Sequence, residues 1–207
     1  RKIPLRKIRK SLEEIKTITV FCASSSKIDD CYFEEARKFG EVLAKENIDC
    51  CNGAGSIGLM NELSEAVLEN GGKVIGVIPQ FMCEMGWQHD GLTELKVVNS
   101  MHERKEMMAN LGDASVALAG GIGTLEELFE IITWKQLGLY SKPIVILNTN
   151  GFFDKILDFL DQLVEQNFMR EEHRKMWKVV ERAEDILPTI RSFEVWDKNI
   201  RKIAAIK

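Results

Sequence analysis

The sequence has no excess of basic charge, no cysteine pair at C-x-x-C spacing, no histidine cluster and no membrane-length apolar run. Each absence removes a class of function. With 28 Lys and Arg against 32 Asp and Glu, the net charge is −4, which argues against a basic nucleic-acid platform. The five cysteines, Cys22, Cys31, Cys50, Cys51 and Cys83, form an odd set that suits no disulfide framework. Cys22, Cys50 and Cys51 lie in apolar runs, where cysteine behaves as a small hydrophobe, and a reducing cytoplasm is expected. No signal-peptide pattern or membrane span is present, so no membrane partner is expected. His89, His102 and His173 share no metal-ligand spacing with one another or with a cysteine, and neither a metal nor a cofactor is expected. G-x-x-x-x-G-K-[ST] and G-x-S-x-G are also missing, which disfavours triphosphate sites and serine hydrolases, and the glycine turn at 119–127 is not G-x-G-x-x-G, which disfavours a dinucleotide there.

What is present alternates. Apolar runs at 17–23, 48–52, 74–78, 95–98, 115–119 and 143–147, with a short one at 178–180, read as six or seven strands. Between them, amphipathic or glycine-stopped stretches at 30–46, 57–70, 101–111, 125–138 and 152–167 read as helices. Residues 80–91 read as a long irregular loop, with Met82, Met85 and Trp87 expected to lie over a pocket. Strand–helix alternation at this spacing predicts an α/β, Rossmann-like doubly wound parallel sheet with helices on both faces.

We expect one domain over 17–192, after a basic arm or short helix at 1–16 and before a helical tail at 193–207. In the arm, Ser11–Glu14 could cap a helix, and Arg1, Lys2, Arg6, Lys7, Arg9 and Lys10 read as a solvated run or as a phosphate- or membrane-contacting one. The chain opens on Arg1 rather than methionine, so the natural protein is expected to begin earlier.

In open sheets of this kind, ligands sit beyond the carboxyl ends of the strands. Three small or polar loops leave the expected strands at that edge: Ser24–Ser26, Gly53–Ser56 and Gly120–Thr124. The third runs Ala119-Gly120-Gly121-Ile122-Gly123-Thr124-Leu125-Glu126-Glu127 and opens a helix, so its unpaired N–H groups and the helix dipole suit a phosphate. Thr124 and Glu127 have capping-box spacing, yet the same spacing puts a carboxylate beside the anion site. Ser100-Met101-His102-Glu103-Arg104-Lys105 is a second such box, with two cations in the first turns of a helix. Cations there oppose the dipole, which points either to a solvated pair or to an anionic partner. Arg104 suits a bidentate contact with phosphate or carboxylate better than Lys105 does.

Together, Met101–Lys105 and Ala119–Glu127 resemble the paired M-x-x-R-K and P-G-G-x-G-T-x-x-E motifs of the LOG (lonely guy) family, long labelled lysine decarboxylases. Phe21–Ser25, Ser56–Met60 and Ile131–Gly138 extend the resemblance, which covers roughly 17–190. It implies a phosphoribohydrolase that releases a free base from a nucleoside 5′-monophosphate, either a cytokinin riboside monophosphate or AMP, working as a homodimer or larger assembly. By motif position, Arg104 and Glu127 would be catalytic. Gly121, Ile122, Gly123 and Thr124 would hold the phosphate, Lys105 and Thr133 would line the site, and Gly120, Glu126, Ser24, Gly53 and Gly55 complete the expected substrate-binding set.

The chain departs from the family at Ala119 (for proline), at Asn52–Gly55 and in the 81–92 loop, where only Glu84 lies near the family's substrate-binding glutamate. A non-catalytic nucleotide- or cofactor-binding carrier or sensor on the same fold is the alternative. A pyridoxal-phosphate decarboxylase is disfavoured, because no Schiff-base lysine context is recognisable.

Overall fold

The computed structural model describes residues 15–197. Seven strands form one all-parallel sheet in the order β4-β3-β2-β1-β5-β6-β7. They are β1 (Thr17–Phe21), β2 (Asp49–Asn52), β3 (Val74–Pro79), β4 (Glu94–Val98), β5 (Ala114–Ala117), β6 (Ile144–Leu147) and β7 (Lys178–Val180). The helices are α1 (Asp30–Lys45), α2 (Gly58–Glu69), α3 (Gln80–Glu84), α4 (Met101–Leu111), α5 (Ile122–Gln136), α6 (Asp154–Glu165) and α7 (Ile186–Arg191), with 3-10 turns between some of them.

The period of two along β1 divides the core. Ile18, Val20 and Cys22 face a layer that includes Phe39 of α1, Leu63 of α2 and Ile186 of α7. On the other face, Phe21, Cys51, Ala117 and Ile146 meet Met108 of α4, Leu128 of α5 and Leu160 of α6. Both faces are covered, which is why the central strands read as continuous apolar runs. Thr19 is the buried polar residue of β1, and its hydroxyl donates to the Met108 carbonyl at 2.6 Å.

Three local expectations change. The loop expected at 80–91 begins with α3, a single exposed turn after Pro79 that buries none of its residues and so carries no apolar period. Helix α5 begins at Ile122 rather than at residue 125, because Gly121 takes the extended N-cap conformation. In the tail, residues 193–197 carry no helix. Phe193 and Trp196 are buried there, and the Trp196 indole N–H donates to the Lys135 carbonyl at 2.8 Å. The expected cap at Ser11–Glu14, the basic arm and the remainder of the tail helix lie outside the described residues.

Candidate active site

The chain leaves β1 toward β2 on one side and returns to β5 on the other, so the strand order reverses between β1 and β5. Such a switch point leaves a crevice at the carboxyl edge of the sheet. Here the crevice is a cavity of about 580 Å³, reached by all three loops picked out in the sequence: Ser24, Gly53 and Gly55, and Gly121 to Thr124.

The glycine turn after β5 forms one wall. No side chain caps α5, and its first backbone hydrogen bond runs from the Leu125 N–H to the Gly121 carbonyl at 3.0 Å. The N–H groups of Ile122, Gly123 and Thr124 therefore have no partner within the helix and stand at its positive end. A Cβ on Gly121 or Gly123 would meet no protein atom within 4 Å, so the backbone is open to the cavity. Gly120 answers a different need, because a Cβ there would fall 2.1 Å from the Thr124 hydroxyl folded back beneath it.

With α5 starting at Ile122, Thr124 and Glu127 are interior helix residues and form no capping box. The Glu127 side chain instead lines the cavity, only 8% exposed. Opposite it stands Arg104 from α4, equally buried. The start of α4 is capped by Ser100, which accepts the Glu103 N–H at 3.1 Å, while Glu103 reaches back to the Asn99 N–H at 2.8 Å. Arg104 is then fixed by two carbonyls: its Nε donates to Val77 at 3.1 Å and its Nη2 to Gly53 at 3.4 Å. Gly53 is indispensable to this, since a Cβ would lie 1.8 Å from Nη2.

Arg104 Nη1 is 3.7 Å from Glu127 Oε1, an ion pair without a direct hydrogen bond. Burial pushes the Glu127 carboxyl up to about 7, the Arg104 charge opposes that rise and the neighbouring Glu126 adds to it. The carboxyl can thus gain or lose a proton near neutral pH while a fixed cation stands beside it. Cys22 lies at the cavity floor, and burial raises its thiol far above the ordinary range, so it stays protonated.

The other expected residues lie outside the cavity lining. Lys105 turns to Glu126 and Glu130 of α5, bracing the two helices. Thr133 is exposed and donates to the Phe129 carbonyl at 2.7 Å, three turns beyond the glycine turn. Glu84 and Met85 are also absent from the lining, whereas Met82 and Trp87 are part of it. Ile57, Met60 and Ile78 are apolar lining residues that motif reasoning passed over. Ile57 and Met60 carried a signal, both lying in the Ser56–Met60 segment, and Ile78 carried none.

Fold and site together define a doubly wound α/β protein with an open glycine turn at an uncapped helix N-terminus and a buried arginine–glutamate pair at the switch point. Residues 60–190 match a family model described as "possible lysine decarboxylase". The chain is 40% identical to a cytokinin riboside 5′-monophosphate phosphoribohydrolase of Oryza sativa subsp. japonica, covering 88% of this chain and 78% of that one. It is also 40% identical to the enzyme of that name from Rhodococcoides fascians, covering 86% and 90%, and 41% identical to one from Arabidopsis thaliana, covering 84% and 85%. The protein belongs to this LOG family.

Among solved structures, the fold resembles a molybdenum cofactor binding protein of Rippkaea orientalis, with TM-score 0.66, 18% identity and coverage of 86% and 97%. A Moco carrier protein of Chlamydomonas reinhardtii has the same TM-score, with 20% identity and coverage of 87% and 98%. No lysine lines the cavity among the described residues, so the decarboxylase wording of the family model finds no Schiff-base candidate there.

Proposed function

We propose that the protein hydrolyses the N-glycosidic bond of nucleoside 5′-monophosphates, with the phosphate on the Ile122–Thr124 N–H groups and the reaction between Arg104 and Glu127. The observation that carries this reading is the buried ion pair standing beside an uncapped helix N-terminus in one cavity. The activity named for its 38–45% identical relatives supports it.

Cleavage of the C1′–N bond builds positive charge on the ribose. In the ionised state, Glu127 faces that charge and draws a proton from the attacking water as its oxygen bonds to C1′. The departing base takes the bonding electron pair, and the proton held on Glu127 returns to it. A carboxyl near neutrality suits both transfers. Arg104 keeps Glu127 in place and offers its remaining N–H groups to ribose or phosphate, so binding energy remote from C1′ positions the reacting atoms.

The apolar wall of Ile57, Met60, Met82 and Trp87 suits a base with an apolar substituent. A homodimer or larger assembly accords with the exposure of Ile122 and Leu139, and a reducing compartment such as the cytoplasm with five free thiols. The carrier alternative is supported by fold likeness alone.

Product analysis tests the reading. Incubation with AMP in ¹⁸O-water should yield adenine and ribose 5-phosphate in equal amounts, with the label on the sugar. Tight binding of AMP and of N6-benzyl-AMP without product from either would refute hydrolysis and favour the carrier.

A further inference from the structure

The wall that carries Trp87 is not held by its own helix, since α3 buries none of its residues. It is sewn instead to the loop after β2. The Ser56 N–H donates to the Trp87 carbonyl at 3.1 Å and the His89 N–H to the Ala54 carbonyl at 2.8 Å, around an antiparallel bridge between Gly55 and Gln88. That loop is itself rigid. The buried Asn52 side chain accepts the Ala54 N–H at 2.9 Å and donates to Ser64 at 2.9 Å, holding Ala54 at a φ of 62°.

One buried polar side chain outside the catalytic pair closes this arrangement. His89 Nδ1 accepts the Gly91 N–H at 3.0 Å, which puts the ring proton on Nε2, and Nε2 donates to Glu65 Oε1 of α2 at 2.6 Å. The imidazole is 8% exposed, whereas Glu65 is 46% exposed. A well-covered donor thus ties the 87–91 segment to a helix of the main fold, just behind the residue that lines the base side of the cavity.

We infer that the His89–Glu65 clasp is a positioning device for base selectivity, setting how tightly the Trp87 and Met82 wall closes on an apolar substituent of the base. The inference rests on the hydrolase reading for its substrate. Geometry separates it from the chemistry: Arg104, Glu127 and the glycine turn come from α4 and α5, and none of them contacts His89 or Glu65 through a hydrogen bond or ion pair. Loosening the clasp therefore moves the wall and leaves the phosphate and ribose contacts in place.

The test compares AMP with N6-benzyl-AMP in wild type, His89→Ala, Glu65→Ala and Glu65→Gln. His89→Ala should raise KM for N6-benzyl-AMP about tenfold, the scale of a few lost apolar contacts, while kcat for both nucleotides and KM for AMP stay within about twofold. Glu65→Gln keeps an acceptor for Nε2 and should restore the wild-type ratio. Glu65→Ala, at a half-exposed position, reads the same loss if His89→Ala does not fold. An unchanged ratio in both alanine variants, or an equal fall in kcat for both nucleotides, overturns the inference. If the wild type turns over neither nucleotide, the hydrolase reading has failed, and the ratio of the two dissociation constants by calorimetry decides the clasp by the same criterion.

Discussion

Glu127→Gln is expected to abolish base release and, at the same time, to stabilise the fold at neutral and alkaline pH. The substitution keeps the shape of the side chain and removes its charge. Burial raises the folded carboxyl from 4.5 to about 7, so the folded state binds the proton more tightly than the unfolded chain does. Stability from this group is therefore highest below the unfolded value, falls as pH rises from 4.5 toward 7, and is level above that. The full cost is about 3 kcal/mol at pH 8, and about 1 kcal/mol remains at pH 5.5. The Arg104 attraction is already contained in the net shift. Urea unfolding of wild type and variant at pH 4, 5.5 and 8 measures it directly. The gap should grow from near zero to about 3 kcal/mol, or roughly 6–12 °C in Tm for a chain of this size. A variant destabilised at pH 8, or a gap independent of pH, would show that Glu127 is not a buried, strained carboxylate.

Two glycines of the site should lose function for different reasons. Gly53→Ala drives a Cβ into the Arg104 guanidinium and should lower kcat/KM at least about 100-fold through misplacement alone, as steady-state assay of AMP cleavage will show. Gly123→Ala meets no protein atom, so unfolding free energy should stay within about 1 kcal/mol. Its nucleotide affinity should nevertheless fall about tenfold by calorimetry, because the backbone no longer approaches the phosphate. Away from the site, burial lowers Lys135 from 10.5 to about 7, so the unfolded chain holds that proton more tightly. Lys135→Met should therefore stabilise the protein at pH 7 by about 3 kcal/mol after loss of its bond to the Lys142 carbonyl, a gain that vanishes above about pH 10.

The parallel sheet and the three loops at its carboxyl edge could be read from the sequence because apolar runs and glycine punctuation repeat at strand–helix spacing. The pairing of β1 with β5 could not, since nothing local in Thr17–Phe21 or Ala114–Ala117 encodes which strands become neighbours. The start of α5 was displaced because glycines carry little helix propensity, so Ile122 and Gly123 looked like turn rather than first turn. That displacement matters, for it frees Glu127 from a capping role. Arg104 was visible as a cation in an unfavourable place at a helix start. Its fixing by Val77 and Gly53 was not, because those contacts span 27 and 51 residues. The apolar lining of Ile57, Met60 and Ile78 shares its composition with the core, and only the fold separates the two.

The most direct measurement is release of free base from AMP, with adenosine as the control, by wild type, Arg104→Ala and Glu127→Gln. The account predicts release from AMP and not from adenosine, with both variants reduced by at least about 100-fold while still folded. Equal cleavage of adenosine, or full activity in either variant, would contradict it.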